Sequence, residues 1–387
     1  MDIEAIIEAS VEPELIEALG RQMANAVLTQ ATLAYVSTDG AESERITAFV
    51  NAIRSDEQVT GAWGEEALAA LVHEWVGRLE SEQISMAEEE VVTTRILDGR
   101  AMAKEVRQEV VDGVAEFVAK YGFAPTIAVV RAGSDPASVS YAKMIKRSFE
   151  NAGMSFELHA LPDSSTLEGI IDLVHALNAD SGVSGIMVQE PLPRGIDDIA
   201  IKSAIAPEKD ADGVNPINAG RLAQAAPVGR SSGVQDYLVP ATPLGGLEIL
   251  KRAGIEMEGA RAVVVGRSNI VGRPMTFLLM QHHATVSMCH SRTRPLGDVT
   301  READILCVAV GVAELIKGDM VKPGATVIDF GFNKKGDQWV GDVDFDEVKM
   351  VAGAITPVPG GTGSMTNVIL MRNVLEAAGR RMAQRGR

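Results

Sequence analysis

The rhythm of apolar and polar positions changes once along this chain, near residue 92. Before that point the rhythm is helical. Ile46, Phe49, Val50 and Ile53, and then Leu68, Leu71, Val72, Trp75, Val76 and Leu79, recur at three- and four-residue spacings that place each set on one buried helix face. Trp63 and Trp75 read as packing residues of that small helical unit. Residues 81–90 carry little apolar surface and end in three glutamates, which predicts a solvated helix end or a linker. Beyond Ile96, short β-branched runs alternate with amphipathic stretches. Strands are expected at 126–130, 185–188, 262–265, 305–310 and 325–328, and helices at 138–152 and 243–253. That alternation predicts parallel sheets covered by helices on both faces, an α/β fold.

Charge sharpens the boundary. Residues 1–92 hold 19 Asp and Glu against four Arg and no Lys, whereas residues 93–387 hold 34 acidic and 32 basic side chains. An acidic appendage on a nearly neutral body offers no clustered cations for phosphate backbones, so nucleic acid is not an expected partner. No apolar run is long enough to span a bilayer, and residues 1–10 lack the basic and apolar regions of a targeting signal. With only two cysteines, Cys289 and Cys307, at no metal-ligand spacing, a reducing, cytoplasmic setting is expected.

Two segments carry candidate chemistry. The apolar run 262–265 leads straight into Gly266-Arg-Ser-Asn-Ile-Val-Gly-Arg-Pro274 and then an apolar helix. A strand, a glycine turn and a helix N-terminus together form an anion site, because unpaired backbone N–H groups and the helix dipole both favour phosphate. A second strand is expected to end near Cys289, followed by His290, Ser291 and Arg292. No acidic residue stands there to accept a ribose 2′-hydroxyl. A hydroxyl and a guanidinium suit a 2′-phosphate instead, which favours NADP over NAD. The other segment, Thr-Pro-Val-Pro-Gly-Gly at 356–361, fixes φ at two prolines and then removes Cβ atoms from the following turn, so its backbone can approach a ligand closely.

These motifs, together with Val-Gln-Glu-Pro-Leu-Pro at 188–193 and Lys-Asp-Ala-Asp-Gly at 209–213, occur in the order and spacing of the methylenetetrahydrofolate dehydrogenase/cyclohydrolase family. The chain resembles that family from about Ile96 to Ala378. The resemblance implies two α/β domains flanking a cleft, one of them a Rossmann-type NADP-binding domain, in addition to the small N-terminal helical region. The expected spans are 1–92 for the acidic helical extension, 93–238 completed by 357–387 for the folate-binding domain, and 239–356 for the NADP domain. A homodimer is implied, with a tetrahydrofolate-derived substrate. Residues 1–92 remain available for a protein partner.

By the same resemblance, Tyr141 packs beside the folate, Asp212 hydrogen-bonds the pterin and Gln189 contacts a catalytic lysine. Pro359, Gly360 and Gly361 face the substrate. Gly266, Arg267, Ser268, Gly272, Arg273, Pro274, Ser291 and Arg292 hold the cofactor. His290 is open to either an adenine contact or a plain turn role. Taken alone, Asp212 before Gly213 is also an ordinary turn former. One position departs from the family in a way that bears on chemistry. Where the family places a lysine four residues after the tyrosine, this chain has Ile145, which can neither exchange protons nor stabilise an oxyanion. Lys143 and Lys146 project about 160° and 100° away around the helix. The expected activity is therefore NADP-dependent oxidation of 5,10-methylenetetrahydrofolate with cyclohydrolase activity lost or weak. Two alternatives stay open: a bifunctional enzyme with a displaced lysine, and a non-catalytic folate or NADP sensor, to which Ala241 and Ser364 add further departures.

Overall fold

The computed structural model describes residues 11–19, 21–37, 42–63, 68, 70–71, 94–230 and 236–385. Most of the helical face at 68–79, including Trp75, and the whole of 81–90 lie outside the described residues. The chain divides into two compact units, Met1–Val91 and Val92–Arg387. In the first, α1 (Glu12–Leu19), α2 (Arg21–Ser37), α3 (Glu42–Arg54) and α4 (Glu57–Trp63) enclose their own core. Phe49, Val50 and Ile53 are buried there together, as their spacing on α3 requires, and Trp63 packs against the same cluster. Asp56 caps α4, its Oδ1 accepting the backbone N–H of Gln58 at 2.9 Å.

The second unit opens with β1 (Arg95–Ile96) and the long helix α5 (Gly99–Tyr121). Asp98 caps α5 by accepting from two backbone N–H groups, and Gly122 at φ 81° ends it in the left-handed conformation. Then follow β2 (Thr126–Ala132), α6 (Pro136–Asn151), β3 (Ser155–Leu161), α7 (Leu167–Ala179) and β4 (Gly185–Val188). These strands form a parallel sheet in the order β3-β2-β4. Two short helices, α8 (Asp198–Ala204) and α9 (Pro216–Gln224), lead to α10 (Ala241–Arg252).

A larger parallel sheet is built next, from β5 (Arg261–Val265), α11 (Gly272–Gln281), β6 (Thr285–Cys289), α12 (Leu296–Thr300), β7 (Ile305–Val308) and β8 (Thr326–Asp329). After it come an antiparallel hairpin of β9 (Asn333–Lys335) and β10 (Gln338–Val340), a short α13 (Phe345–Lys349) and β11 (Ala354–Ile355). The six strands lie in the order β1-β11-β8-β7-β5-β6. β1 thus adds to the edge of this sheet, although its residues fall within the span read from sequence as the other α/β domain. The closing helix α14 (Thr362–Arg385) packs against both α5 and α10, and side chains from all three helices share one core cluster. Cys289 and Cys307 are buried free thiols. Among the described residues no helix is long and apolar enough to cross a membrane, and no group of metal-ligating side chains comes together.

Candidate active site

The larger sheet reverses direction at β5: β6 lies on one side of it and β7 on the other. Such a switch point leaves a crevice at the carboxyl ends of the two strands. Gly266 enters that crevice directly after β5 with φ 125°, and a Cβ there would stand 2.1 Å from the Ala309 carbonyl oxygen beyond β7. A Cβ on Gly272, the first residue of α11, would stand 2.1 Å from the Gly266 carbonyl oxygen. Both positions therefore tolerate only glycine, and the turn folds tightly on itself. Ser268 Oγ ties it further by accepting from the backbone N–H groups of Val271 at 3.1 Å and Gly272 at 3.3 Å. Arg267 and Arg273 are exposed beside the turn, Arg273 held by Asn269 Oδ1 at 2.7 Å, while Pro274 is buried in the first turn of α11.

Past β6, Ser291 and Arg292 join Arg294 in lining an open cavity of about 410 Å³. His290 serves the turn itself: its Nδ1 accepts from the Arg292 backbone N–H at 3.2 Å and its own N–H donates to Thr293 Oγ1 at 3.0 Å. These bonds give His290 a part in shaping the turn. A Cβ-free phosphate cradle at a helix start, followed one strand later by a hydroxyl and two guanidinium groups, fits a dinucleotide with a 2′-phosphate.

A second cavity, of about 550 Å³, is lined by Tyr141, Met144, Phe330, Phe332 and the turn containing Pro359, Gly360 and Gly361, with Arg100 at its rim. The turn is fixed from behind by Asp329 at the end of β8. The Asp329 backbone N–H donates to Thr356 Oγ1 at 2.8 Å, and Thr362 Oγ1 donates to the Asp329 carbonyl at 2.8 Å. Its carboxylate accepts the backbone N–H groups of Gly331, Asp342 and Val343 at 2.7–3.1 Å, yet burial outweighs these bonds and pushes its pKa up to about 7. From the front, the Arg100 N–H donates to the Gly360 carbonyl at 3.1 Å, and a Cβ on Gly99 would come within 2.1 Å of the Gly361 carbonyl. Arg100, Met144, Phe330, Phe332 and Asn367 went unmarked in the sequence. They lie far apart along the chain and meet only because α5, α6 and α14 converge on the turn.

Tyr141, from α6, is half-buried in this cavity. Burial and the nearby Asp212 charge hold its phenol well above the usual pKa, so the hydroxyl keeps its proton. Asp212 does not line the cavity wall but lies close enough to exert that effect. Its own carboxyl is pushed up to about 7, first by burial and then by the charges of Asp210 and Glu190, with Lys202 opposing. The neighbouring pair is structural. Buried Asp210 accepts from the backbone of Asn215 and from Asn218 Nδ2, each at 2.8 Å, and buried Lys209 donates to three backbone carbonyls near the end of α7. Between them they pin the segment on which Asp212 stands.

Gln189 is buried beneath Tyr141's helix. Its Nε2 reaches the Ser138 carbonyl at a long 3.4 Å, and its Oε1 has no hydrogen-bond partner. Ile145, one turn beyond Tyr141, is wholly enclosed in the core and does not line the cavity. Lys143 and Lys146 point outward to solvent, Lys146 lying 3.8 Å from Glu150.

With this geometry in place, comparison with known proteins is direct. Residues 97–212 match the family model of the tetrahydrofolate dehydrogenase/cyclohydrolase catalytic domain, and residues 240–382 match the model of the NAD(P)-binding domain of the same family. The chain is 50% identical over 292 residues to the bifunctional protein FolD of Chloroflexus aurantiacus, covering 75% of this chain and 99% of that one. Among solved structures it is similar to the bifunctional FolD methylenetetrahydrofolate dehydrogenase/cyclohydrolase of Campylobacter jejuni. There the TM-score is 0.70 and the identity 39%, over 74% of this chain and 99% of that one. The dehydrogenase-cyclohydrolase of Trypanosoma brucei, solved with NADP cofactor and an inhibitor, matches with TM-score 0.69 and 35% identity over 75% and 98% of the two chains.

Proposed function

We propose a function from one premise: this chain belongs to the tetrahydrofolate dehydrogenase/cyclohydrolase family. It oxidises 5,10-methylenetetrahydrofolate to the 5,10-methenyl cation with NADP. The glycine turn from Gly266 to Gly272 would hold the pyrophosphate, and Ser291 with Arg292 the 2′-phosphate. When bound, NADP supplies the hydride acceptor.

The chain's own residues have little acid–base work in this step, because the folate nitrogens flanking the methylene carbon stabilise the cation as it forms. What remains is positioning and exclusion of water. Tyr141 offers a protonated hydroxyl at the cavity wall. Asp212, poised near neutrality, can either accept from or donate to pterin nitrogens. Met144, Phe330 and Phe332 give the cavity an apolar lining from which bound substrate displaces water, and the turn at Pro359, Gly360 and Gly361 lets substrate approach backbone without a side chain between.

Hydrolysis of the methenyl bridge asks for more, since water must be activated and a proton moved. We propose that this activity is lost or weak. The observation that carries the proposal is Ile145, sealed in the core at the position of the family lysine, with Gln189 Oε1 left without a partner. The bifunctional reading is favoured by relatives at 45–50% identity that bear the name bifunctional protein FolD. Incubating the purified protein with methenyltetrahydrofolate separates the two. Decay no faster than the spontaneous rate is expected, and rapid enzymatic decay would restore bifunctionality. NADP binding without NADPH formation from methylenetetrahydrofolate would overturn the dehydrogenase itself. Homodimerisation and residence in the cytoplasm are proposed along with the family.

A further inference from the structure

Between the cofactor crevice and the substrate cavity sits a carboxylate that lines neither. Asp342, two residues past β10, is fully buried. Its Oδ2 accepts the backbone N–H groups of Val310 and Gly311 at 2.6 and 2.9 Å. Those residues follow β7 and wall the switch-point crevice opposite Gly266, directly after the Ala309 carbonyl that presses on that glycine. The other oxygen, Oδ1, accepts from Asn333 Nδ2 at 2.9 Å, and Asn333 adjoins the cavity-lining Phe332. The Asp342 backbone N–H donates to Asp329 Oδ1 at 3.1 Å, and Asp329 is the residue that holds Thr356 and Thr362 at the two ends of the substrate-facing turn. Among the described residues no cation pairs with Asp342. A buried carboxylate is costly without one, so its charge is compensated by N–H groups alone. Space is kept for it as well: a Cβ on Gly331 would stand 2.2 Å from the Asp342 nitrogen.

Resting on the proposed dehydrogenase activity, we propose that Asp342 is a positioning residue for hydride transfer, which holds the cofactor wall at Val310 and Gly311 and the folate wall at Phe332 and the 356–362 turn at one fixed separation. It touches neither ligand. On one side it acts through two backbone N–H groups, and on the other through Asn333 and Asp329. Hydride transfer depends steeply on the distance between the reacting carbons, and a misplacement of about 1 Å costs roughly 100-fold in rate. The same bonds couple the two sites, because a ligand that orders one wall orders the other through this carboxylate.

The test exchanges the hydrogen-bonding partners on the full chain. Asp342→Asn sets an amide N–H against donors on one side or the other, and Asn333→Asp sets a second carboxylate against the first, so each change alone breaks the junction. Together they restore it: the amide oxygen faces Val310 and Gly311, and the amide nitrogen faces the new carboxylate. Calorimetric titration of NADP with and without saturating tetrahydrofolate reads the coupling without turnover. In the wild type, tetrahydrofolate is expected to raise NADP affinity about tenfold. Either single variant should bring that factor to within about twofold and lower kcat by about 100-fold. The double variant should recover a coupling of about fivefold or more, and kcat to within about tenfold of wild type. Equal NADP affinities with and without tetrahydrofolate in the wild type, coupling that survives the single substitutions, or a double variant no better than the single ones would overturn the assignment. A role in stability alone would lower the unfolding midpoint and leave the coupling factor intact. Failure of the wild type to form NADPH from methylenetetrahydrofolate counts against the activity alone, and the coupling factor still decides whether Asp342 joins the two walls.

Discussion

Tyr141 and Ile145 occupy successive turns of one helix face, yet only the tyrosine reaches the 550 Å³ cavity, the isoleucine being sealed in the core behind it. Truncating Ile145 should therefore act on stability and hardly on substrate affinity. Ile145→Ala is expected to cost about 2–4 kcal/mol, read by urea unfolding, with KM for methylenetetrahydrofolate within threefold of wild type. A much larger KM effect would place Ile145 in the site. Ile145→Lys buries a cation in the core. It should lower the unfolding midpoint and, if Gln189 orients the new ammonium, raise methenyl hydrolysis above the spontaneous rate.

Asp212 should make stability run against the usual direction for a carboxylate. Its folded-state pKa, about 7, lies above the ordinary aspartate value of 3.8, so the folded chain binds this proton more tightly than the unfolded chain does. Its effect is harmless below about pH 4, where both states are protonated. Stability is then lost progressively as pH rises through the window from about 4 to 7. Asp329, also near 7, adds a slope of the same sign. Asp212→Asn should remove only its own share, gaining stability over wild type at pH 8 but not at pH 4, as read by denaturant midpoints. It should also lose about 100-fold in kcat/KM if the side chain positions the pterin. A variant equally active, or equally destabilised at both pH values, would contradict this placement.

Gly272→Ala forces a methyl group to within 2.1 Å of the Gly266 carbonyl. The turn must open to accept it. Affinity for NADP, measured by calorimetry, should fall at least tenfold while folate binding survives. Retention of wild-type NADP affinity would argue against this turn as the phosphate cradle.

Arg292, proposed to meet the 2′-phosphate, should separate the two nicotinamide cofactors. A charge-assisted contact to a 2′-phosphate is worth about 1.5–3 kcal/mol. Arg292→Gln should thus raise KM for NADP by about 10- to 100-fold and leave KM for NAD nearly unchanged, with steady-state rates on both as the measurement.

How much of this was legible in the sequence follows from burial. β2, β5, β7 and β8 lie inside their sheets, so their β-branched runs announce them. β3 is not legible because it is an edge strand whose Glu157 and His159 break any apolar run. β1 and β11 are two residues each, too short for a period, and exist only because each pairs with a strand distant in sequence. The glycine turn after β5 was visible because its chemistry is local. Arg100 was not: nothing around it in sequence tells that its N–H will meet Gly360, 260 residues on.

The hairpin beside the cavity has an optical consequence. Phe332 lines the cavity on one side and stacks on Trp339 with ring centres 4.4 Å apart and planes within 11°. Three tryptophans are present in the whole chain, and this one alone belongs to the second unit. A ligand that displaces water from Phe332 alters the surroundings of the adjoining indole. The protein thus carries, in its own near-ultraviolet emission, an indicator of whether the cavity is filled.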